Sequence, residues 1–306
     1  MLKQVIEIFD LLDDGRITGN KVTEKFSCYE NVEAKCNTIT GELGTTDSIE
    51  ILIKGSNGKS VGGNARTIGI IGRLGGIGAR PKYKGLVSDG DGAVAAIAVA
   101  LKLSEMSLRE DVLDGDVIIT THICPDAPTE PHDPVDFMGS TIDMNQMNET
   151  EVKEDMDAIL SIDTTKGNNV LNYKGYAISP TIKEGYILKV SEDILNCVEV
   201  SSGKKANVFP VSQLDITPYS NDMYHINSIL QPAVSTKAPV VGIAITAETA
   251  VPGCSTGASD EYDITAACRF AIEVCKGYTS NQFNFYDEKE YKQIIELYGS
   301  NEHFQK

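Results

Sequence analysis

Two groups of acidic and histidine side chains flank one apolar part of the sequence. Asp89 and Asp91 stand among glycines directly before an apolar run at 93–103. The second group lies at the end of, and just beyond, a β-branched run at 117–123. Its members are His122, Asp126, His132 and Asp133. Because carboxylate and imidazole groups suit zinc, manganese or iron, this pattern predicts a metal site.

The elements that would position these side chains are a helix and a strand. The run at 93–103 is apolar all round except for Lys102, which is typical of a buried helix. The run at 117–123 is typical of a central strand buried on both faces. In an open α/β sheet, ligands bind beyond the carboxyl ends of the strands, so both groups should meet there. Asp163, which follows another short apolar run, should join them.

Helix capping is the other interpretation of the two aspartates. An aspartate before a helix can satisfy free amide groups and stabilise it by about 1 kcal/mol. The sequence favours capping for Asp91 and leaves both roles open for Asp89.

Further candidates could bind a substrate. Arg73 and Arg80 lie among glycines and could bind a carboxylate or phosphate, or could be surface arginines in a turn. His225, in a predicted helix, is a ligand or a core residue. Cys254 is a nucleophile, a soft ligand or an inert thiol. Ser255 precedes a predicted helix whose free amides favour anions.

Composition limits the class of protein. The chain has 306 residues, of which 41% are hydrophobic and 23% charged, enough for a sizeable core. With 27 Lys plus Arg against 44 Asp plus Glu, its net charge of -17 argues against nucleic acid and anionic membrane as partners. The seven cysteines include no CxxC pair, which argues against a disulfide framework.

The predicted architecture is a single α/β domain over 1–306, with three layers and a mostly parallel or mixed central sheet. Apolar runs at 68–71, 117–123, 159–162 and 240–246 alternate with helical patterns. Asn148 is predicted to cap a helix that follows it. The charged first helix is neither a signal peptide nor a membrane span, which predicts a cytoplasmic protein. Spare apolar segments predict a homo-oligomer.

The segment GLVSDGDGAVAAIAVALKL resembles part of the co-catalytic zinc exopeptidases, which have a phosphorylase/hydrolase-like fold. The resemblance implies that Asp89 bridges two metals and that Asp163 binds one of them, with Asp126 a weaker match. Three motifs depart from the family. Arg73-Leu74-Gly75 replaces its His-x-Asp, Pro125-Asp126 replaces its two glutamates, and 253–260 contains no histidine.

The amino-acid sequences of several segments also resemble those of a bacterial and archaeal family of about this length, domain of unknown function 1177. The segments are VSDGDGA, THICPDAPTEPHDPV, ILSIDTTKGN, ISPTIKEGYIL, DITPYSN and VPGCSTGAS. This resemblance covers the whole chain and implies no activity.

Three functional hypotheses result. The first is a metal-dependent hydrolase of a small amide or peptide-like substrate, using a divalent metal such as zinc or manganese. Its ligands would be Asp89, His122, Asp126 and Asp163, with His132 or Asp91 carrying a proton and Arg73 holding the substrate. The second is a non-catalytic relative that binds a small anion. The third is cysteine catalysis at Cys254 with His122 or His225 as base.

Overall fold

The computed structural model describes residues 1–73, 85–125, 127–131, 135–219, 222–223, 225, 227–254 and 257–305. Their helices are α1 (Leu2–Leu12), α2 (Gly19–Glu24), α3 (Asp91–Ser107), α4 (Met144–Glu151), α5 (Glu192–Ser202), α6 (Glu261–Thr279) and α7 (Glu288–Tyr298). Short 3-10 helices span Lys59–Val61, Ser88–Gly90, Gln213–Ile216, Ser228–Ser235 and Glu302–Phe304.

Most strands belong to one large mixed sheet. In chain order they are β1 (Val32–Gly41), β2 (Gly44–Ile53), β3 (Ile68–Gly72), β4 (Val117–Ile123), β5 (Thr129–Glu130), β6 (Phe137–Met138), β7 (Ala158–Thr165), β8 (Gly175–Ile178), β9 (Thr181–Lys183), β10 (Tyr186–Leu188) and β11 (Val240–Thr246). The nine-stranded sheet has the order β1-β2-β4-β3-β7-β11-β9-β10, with β8 also paired to β11, and β5 and β6 form a separate pair.

The centre of the sheet is parallel and its edges are antiparallel. Strands β4, β3, β7 and β11 run parallel to one another. Strand β2 pairs antiparallel to β4, and β8 and β9 pair antiparallel to β11. Every residue of β3, β4 and β11 is buried, as expected for strands covered on both faces. The prediction of a mixed central sheet is confirmed.

Helices cover both faces and make the three predicted layers. On one face, α3 packs against β3, β4 and β7, and α1 and α6 pack against α3. On the other face, α4 and the 3-10 helix Ser228–Ser235 pack against each other, and the latter also contacts β7 and β11. Two buried apolar clusters, one on each side of the sheet, form the core.

Two local predictions are wrong. Asn148 lies inside α4, and Asp143 caps that helix in a capping box with Gln146. The chain then leaves the helix at Val152, whose φ of -82° and ψ of 127° are extended. His225 lies outside the helices, between the 3-10 segments Gln213–Ile216 and Ser228–Ser235. None of the described helices is long and apolar enough to span a bilayer.

The register of three central strands fixes which side chains share a face. Gly72 pairs with Thr121 on β4 and Ile162 on β7. A Cβ atom on Gly72 would lie 2.8 Å from Cβ of Ala96 on α3, so this row faces α3. Because side chains alternate along a strand, the next residue on each strand faces the layer that contains α4.

Candidate functional site

Arg73, His122 and Asp163 form that next row, at the carboxyl edge of the parallel strands. Arg73 directly follows β3, and its amide nitrogen donates to the carbonyl oxygen of Ile162 over 2.8 Å. His122 and Asp163 are the residues after Thr121 and Ile162. All three side chains are buried. The sheet therefore brings together three of the side chains that the sequence predicts for the site.

Glu151 of α4 holds Arg73 and His122 in one buried network. Its Oε2 atom lies 2.6 Å from Nη1 of Arg73, and its Oε1 atom lies 2.9 Å from Nδ1 of His122. Asn148 accepts a further hydrogen bond from Arg73 over 3.1 Å, and the sulfur of Met144 contacts the same guanidinium. The network joins β3 and β4 to α4.

The structure encloses Arg73, the residue that the hydrolase hypothesis expects to hold the substrate. Its side chain is 0% exposed, and Glu151 is 1% exposed. A guanidinium enclosed in this way is already neutralised by a carboxylate, and separating such a pair is unfavourable. Arg73 therefore stabilises the strand ends, and its positive charge is paired with the carboxylate of Glu151.

Among the residues that the structure describes, Asp163 has no cationic contact comparable to that of Glu151. Its carboxylate accepts hydrogen bonds from the amide of Thr164 over 2.7 Å and the hydroxyl of Ser228 over 2.9 Å. Burial raises the pKa of Asp163 to about 6, although these hydrogen bonds and the charge of Arg73 oppose the rise. Asp163 is therefore a carboxyl group that titrates close to neutrality.

Asp89 lies beside this row, in the 3-10 helix Ser88–Gly90. Its Oδ2 atom accepts a hydrogen bond from the amide of Met138 over 3.0 Å, and its own amide donates to the carbonyl of Gly253 over 3.0 Å. Burial raises the pKa of Asp89 to about 7, and the charge of Asp163 adds to the rise. The two aspartates are held together locally, because Thr164 Oγ1 donates to the carbonyl of Ser88 over 3.0 Å.

Asp91 pairs with Lys166, a residue at the end of β7. Lys166 Nζ lies 2.7 Å from Oδ2 of Asp91, and both side chains are buried. The hydroxyl of Ser259 donates to Oδ1 of Asp91. The carboxylate of Asp91 makes no capping hydrogen bond to α3, which Gly90 precedes as N-cap. The capping interpretation of Asp91 is wrong, because its carboxylate forms an ion pair with Lys166 and no hydrogen bond to the first amides of α3.

The charges of this cluster are unevenly matched. Glu151 pairs with Arg73, and Asp91 pairs with Lys166. Within the described residues, Asp89 and Asp163 form no salt bridge. A buried carboxylate without a cation is unfavourable, which is why burial raises the pKa of both groups. We call Asp89 and Asp163 the aspartate pair.

The cluster does not include His225 or Cys254. His225 Nε2 lies 3.1 Å from Oγ1 of Thr217, and its ring stacks on Tyr219 with centroids 4.2 Å apart. Cys254 is half-buried and packs against a small apolar cluster that includes Val87. Neither contact places a base beside the thiol of Cys254, so the described geometry does not favour cysteine catalysis.

Five candidate residues that the sequence analysis names lie outside the described part of the chain: Arg80, Asp126, His132, Asp133 and Ser255. Within the ranges that are described, no three His, Cys, Asp or Glu side chains lie close enough together to hold a metal ion. The described partner of His122 is Glu151, which its Nδ1 atom contacts.

Sequence reasoning missed Glu151, Lys166 and Ser228. The sequence analysis began this helix after Asn148. It therefore did not recognise that Glu151 ends a helix that starts at the Asp143–Gln146 capping box. Lys166 directly follows the strand that carries Asp163, so a search for charges just past strand ends would have found it. Ser228 carries no such signal, because a long connection separates it from β11.

The fold and the cluster define an α/β protein with an acidic site at the carboxyl edge of its parallel strands. The family model described as "Protein of unknown function (DUF1177)" matches residues 37–306, and the chain belongs to this family. A comparison with curated proteins finds no match.

Proposed function

We propose that this protein is a hydrolase of a small amide or peptide-like substrate, and that the aspartate pair is its reactive site. The observation that supports this most is the pair itself. Two buried carboxyl groups without salt-bridge partners among the described residues meet at the carboxyl edge of a parallel sheet. Ligand sites in open α/β sheets lie at that edge.

The titration of the pair suits proton transfer. With pKa values of about 7 for Asp89 and about 6 for Asp163, the pair is partly protonated near neutral pH. General acid–base catalysis works best when the pKa of the catalytic group lies near the working pH. The ionised carboxylate would take a proton from water as it attacks the carbonyl carbon. The protonated carboxyl would deliver a proton to the departing nitrogen.

Neighbouring residues would hold the pair in place for this role. Ser228 and the amide of Thr164 each donate to Asp163, and the amide of Met138 donates to Asp89. The charge of Lys166 opposes the rise in the pKa of Asp89. These fixed donors would orient both carboxyl groups before a substrate arrives.

A divalent cation, zinc or manganese, would be held by Asp89 and Asp163 when both carboxyl groups are ionised, so metal binding is an alternative to proton transfer by the pair and not a part of it. Hard carboxylate oxygens suit manganese better than zinc as ligands. When bound, such a cation lowers the pKa of a coordinated water toward neutrality. The described residues supply these two carboxylates as candidate ligands.

Titration calorimetry on metal-stripped protein tests this proposal. Manganese or zinc should bind wild type, and Asp89→Asn and Asp163→Asn should each weaken binding by about tenfold or more, equal to about 1.4 kcal/mol. Asp287→Asn, at the exposed N-cap of α7, is the control and should bind as wild type does. Hydrolysis of a panel of dipeptides and N-acyl amino acids should be lost in the same two variants. Unchanged hydrolysis in both would overturn the proposal.

The anion-binding alternative relies on Arg73, Arg80 and the amides near Ser255. It loses Arg73, because that side chain is fully buried against Glu151, and Arg80 and Ser255 lie outside the described residues. We therefore propose the hydrolase alone.

We further propose that the protein works in the cytoplasm as a homo-oligomer. The support is α7, which contains no buried residue and leaves Leu297 and Tyr298 exposed at 63% and 75%. Light scattering at micromolar concentration tests the assembly, and a monomer mass would contradict it.

A further inference from the structure

A cavity separate from the aspartate pair lies between the C-terminal part of α5 and one side of α6. Its volume is about 410 Å³, which falls within the range of small-molecule sites. Neither residue of the aspartate pair lines it. The lining residues that matter here are Tyr173, Tyr176, Lys204, Tyr262 and Arg269.

The lining of this cavity is basic, although the protein as a whole carries a net charge of -17. Four basic side chains line it against two acidic ones, Glu248 and Asp263. Lys174 is engaged by Asp260 and Asp263, and Lys205 by Glu199. Lys204 and Arg269 form no salt bridge with any residue that the structure describes. The cavity therefore offers two positive charges outside the described salt bridges, against one acidic side chain, Glu248, that is also outside them.

The floor of the cavity contains a buried polar group, the hydroxyl of Tyr176, close to the hydroxyls of Ser201 and Ser202. Tyr176 is only 7% exposed, and its buried hydroxyl forms no hydrogen bond of normal geometry with the described residues. The nearby hydroxyls of Ser201 and Ser202 both donate to the carbonyl oxygen of Val198. An unpaired buried hydroxyl is unfavourable, and a ligand oxygen at the cavity floor would satisfy it.

We propose that this cavity binds a small planar phosphomonoester, with its phosphate between Lys204 and Arg269 and a ligand oxygen accepting from Tyr176. A phosphomonoester carries a charge between about −1.5 and −2 at neutral pH, which suits a site with two cations that form no described salt bridge. Arginine and lysine are the side chains that most often bind phosphate. The rings of Tyr173 and Tyr262 provide flat surfaces for a planar group.

Phenyl phosphate is the probe for this site, measured by titration calorimetry at low salt. Inorganic phosphate and phenol are measured beside it, because each carries only one half of the proposed recognition. Phenyl phosphate should bind at least about tenfold more tightly than either, and its affinity should fall as salt screens the cations. Equal affinity for inorganic phosphate would overturn the proposal and indicate a general anion patch.

Variants separate this site from an unspecific surface charge. Lys204→Gln and Arg269→Gln should each reduce the affinity for phenyl phosphate by about tenfold, as loss of a charge-assisted hydrogen bond does. Lys292→Gln, on the exposed side of α7, is the matched control and should bind as wild type. Wild-type affinity in both cavity variants would overturn the proposal.

Tyr176→Phe tests the floor of the cavity without breaking a hydrogen bond of the free protein. Its thermal midpoint should change little, since the deleted hydroxyl forms no hydrogen bond of normal geometry with the described residues, whereas phenyl phosphate should bind at least about threefold more weakly. Tyr278→Phe, at another buried tyrosine (6% exposed), is the control and should leave affinity unchanged. Unchanged affinity in Tyr176→Phe would remove Tyr176 from the site. None of these results depends on the aspartate pair.

Discussion

His122 Nδ1 lies 2.9 Å from Oε1 of Glu151, with both side chains buried at the carboxyl edge of the sheet. The other oxygen of the same carboxylate contacts Arg73 over 2.6 Å. One residue of α4 thus ties together the ends of two parallel strands. Since Arg73 is fully buried, the positive charge of its guanidinium depends on this carboxylate.

Glu151→Gln should therefore destabilise the protein strongly. The amide keeps the shape of the side chain but removes the one described ion-pair partner of the buried Arg73 guanidinium. Removing one member of a buried pair costs about 3–5 kcal/mol in the free energy of unfolding. Urea unfolding followed by circular dichroism measures this loss.

A matched glutamate on the surface provides the control for that measurement. Glu296 lies 3.9 Å from Lys292 on α7, and its side chain is 66% exposed. Glu296→Gln should change the free energy of unfolding by less than about 0.5 kcal/mol, because exposed pairs contribute little. Similar losses in both variants would contradict a special role for the buried network.

The predictable part of this structure follows from the period of its apolar residues. The β-branched run at 117–123 and the run at 240–246 gave β4 and β11 within one residue. The all-apolar run at 93–103 gave α3, because a helix between a sheet and two other helices has no solvated face.

The pairing of charges could not be predicted in the same way. Which cation meets which carboxylate depends on contacts between residues far apart in the sequence, such as Arg73 with Glu151 and Asp91 with Lys166. Sequence reasoning placed the aspartates at the correct edge of the sheet. It could not show that the guanidinium of Arg73 would form its ion pair with Glu151 and not with the aspartate pair.

The free energy of unfolding should change with pH because the pKa values of both members of the aspartate pair are raised in the folded protein. The folded-state pKa of Asp89, about 7, lies above its ordinary value of 3.8, so the folded protein binds this proton more tightly than the unfolded chain. The resulting stabilisation is complete below about pH 4 and is lost as the pH rises through about 7. Asp163, with a pKa of about 6, acts in the same direction.

Asp89→Asn removes this titration and isolates it from the other carboxylates. In metal-stripped protein, the stability of the variant relative to wild type should rise between pH 5 and pH 8, by at most about 1.4 kcal/mol per pH unit. Guanidinium unfolding across that range measures the difference. Parallel stability curves for the two proteins would contradict a raised pKa at Asp89.

Lys166 and Asp91 should depend on each other energetically. Lys166→Met leaves the carboxylate of Asp91 buried without its cation and should lower the free energy of unfolding by about 3–5 kcal/mol. The double variant Lys166→Met/Asp91→Asn removes both charges and should recover part of that loss. A double-mutant cycle measured by urea unfolding tests the coupling, and additive effects would show that the two charges act independently.

Gly253 sets the space available to Asp89. A Cβ atom at Gly253 would lie 2.1 Å from Oδ2 of Asp89, the oxygen that accepts from the amide of Met138. Gly253→Ala must therefore displace the carboxylate or the loop. We expect a loss of about 1–3 kcal/mol in the free energy of unfolding, together with weaker manganese binding in calorimetry.

Gly257→Ala is the control, four residues further along the same connection. A Cβ atom at Gly257 would meet no other atom within 4 Å, and its backbone does not adopt the left-handed conformation. The variant should be as stable as wild type, or more stable by up to about 1 kcal/mol, because alanine restricts the unfolded chain. If Gly253→Ala behaved like Gly257→Ala in both measurements, the close approach of this loop to Asp89 would be excluded. Weaker manganese binding in Gly253→Ala alone would place the bound cation beside the carboxylate of Asp89.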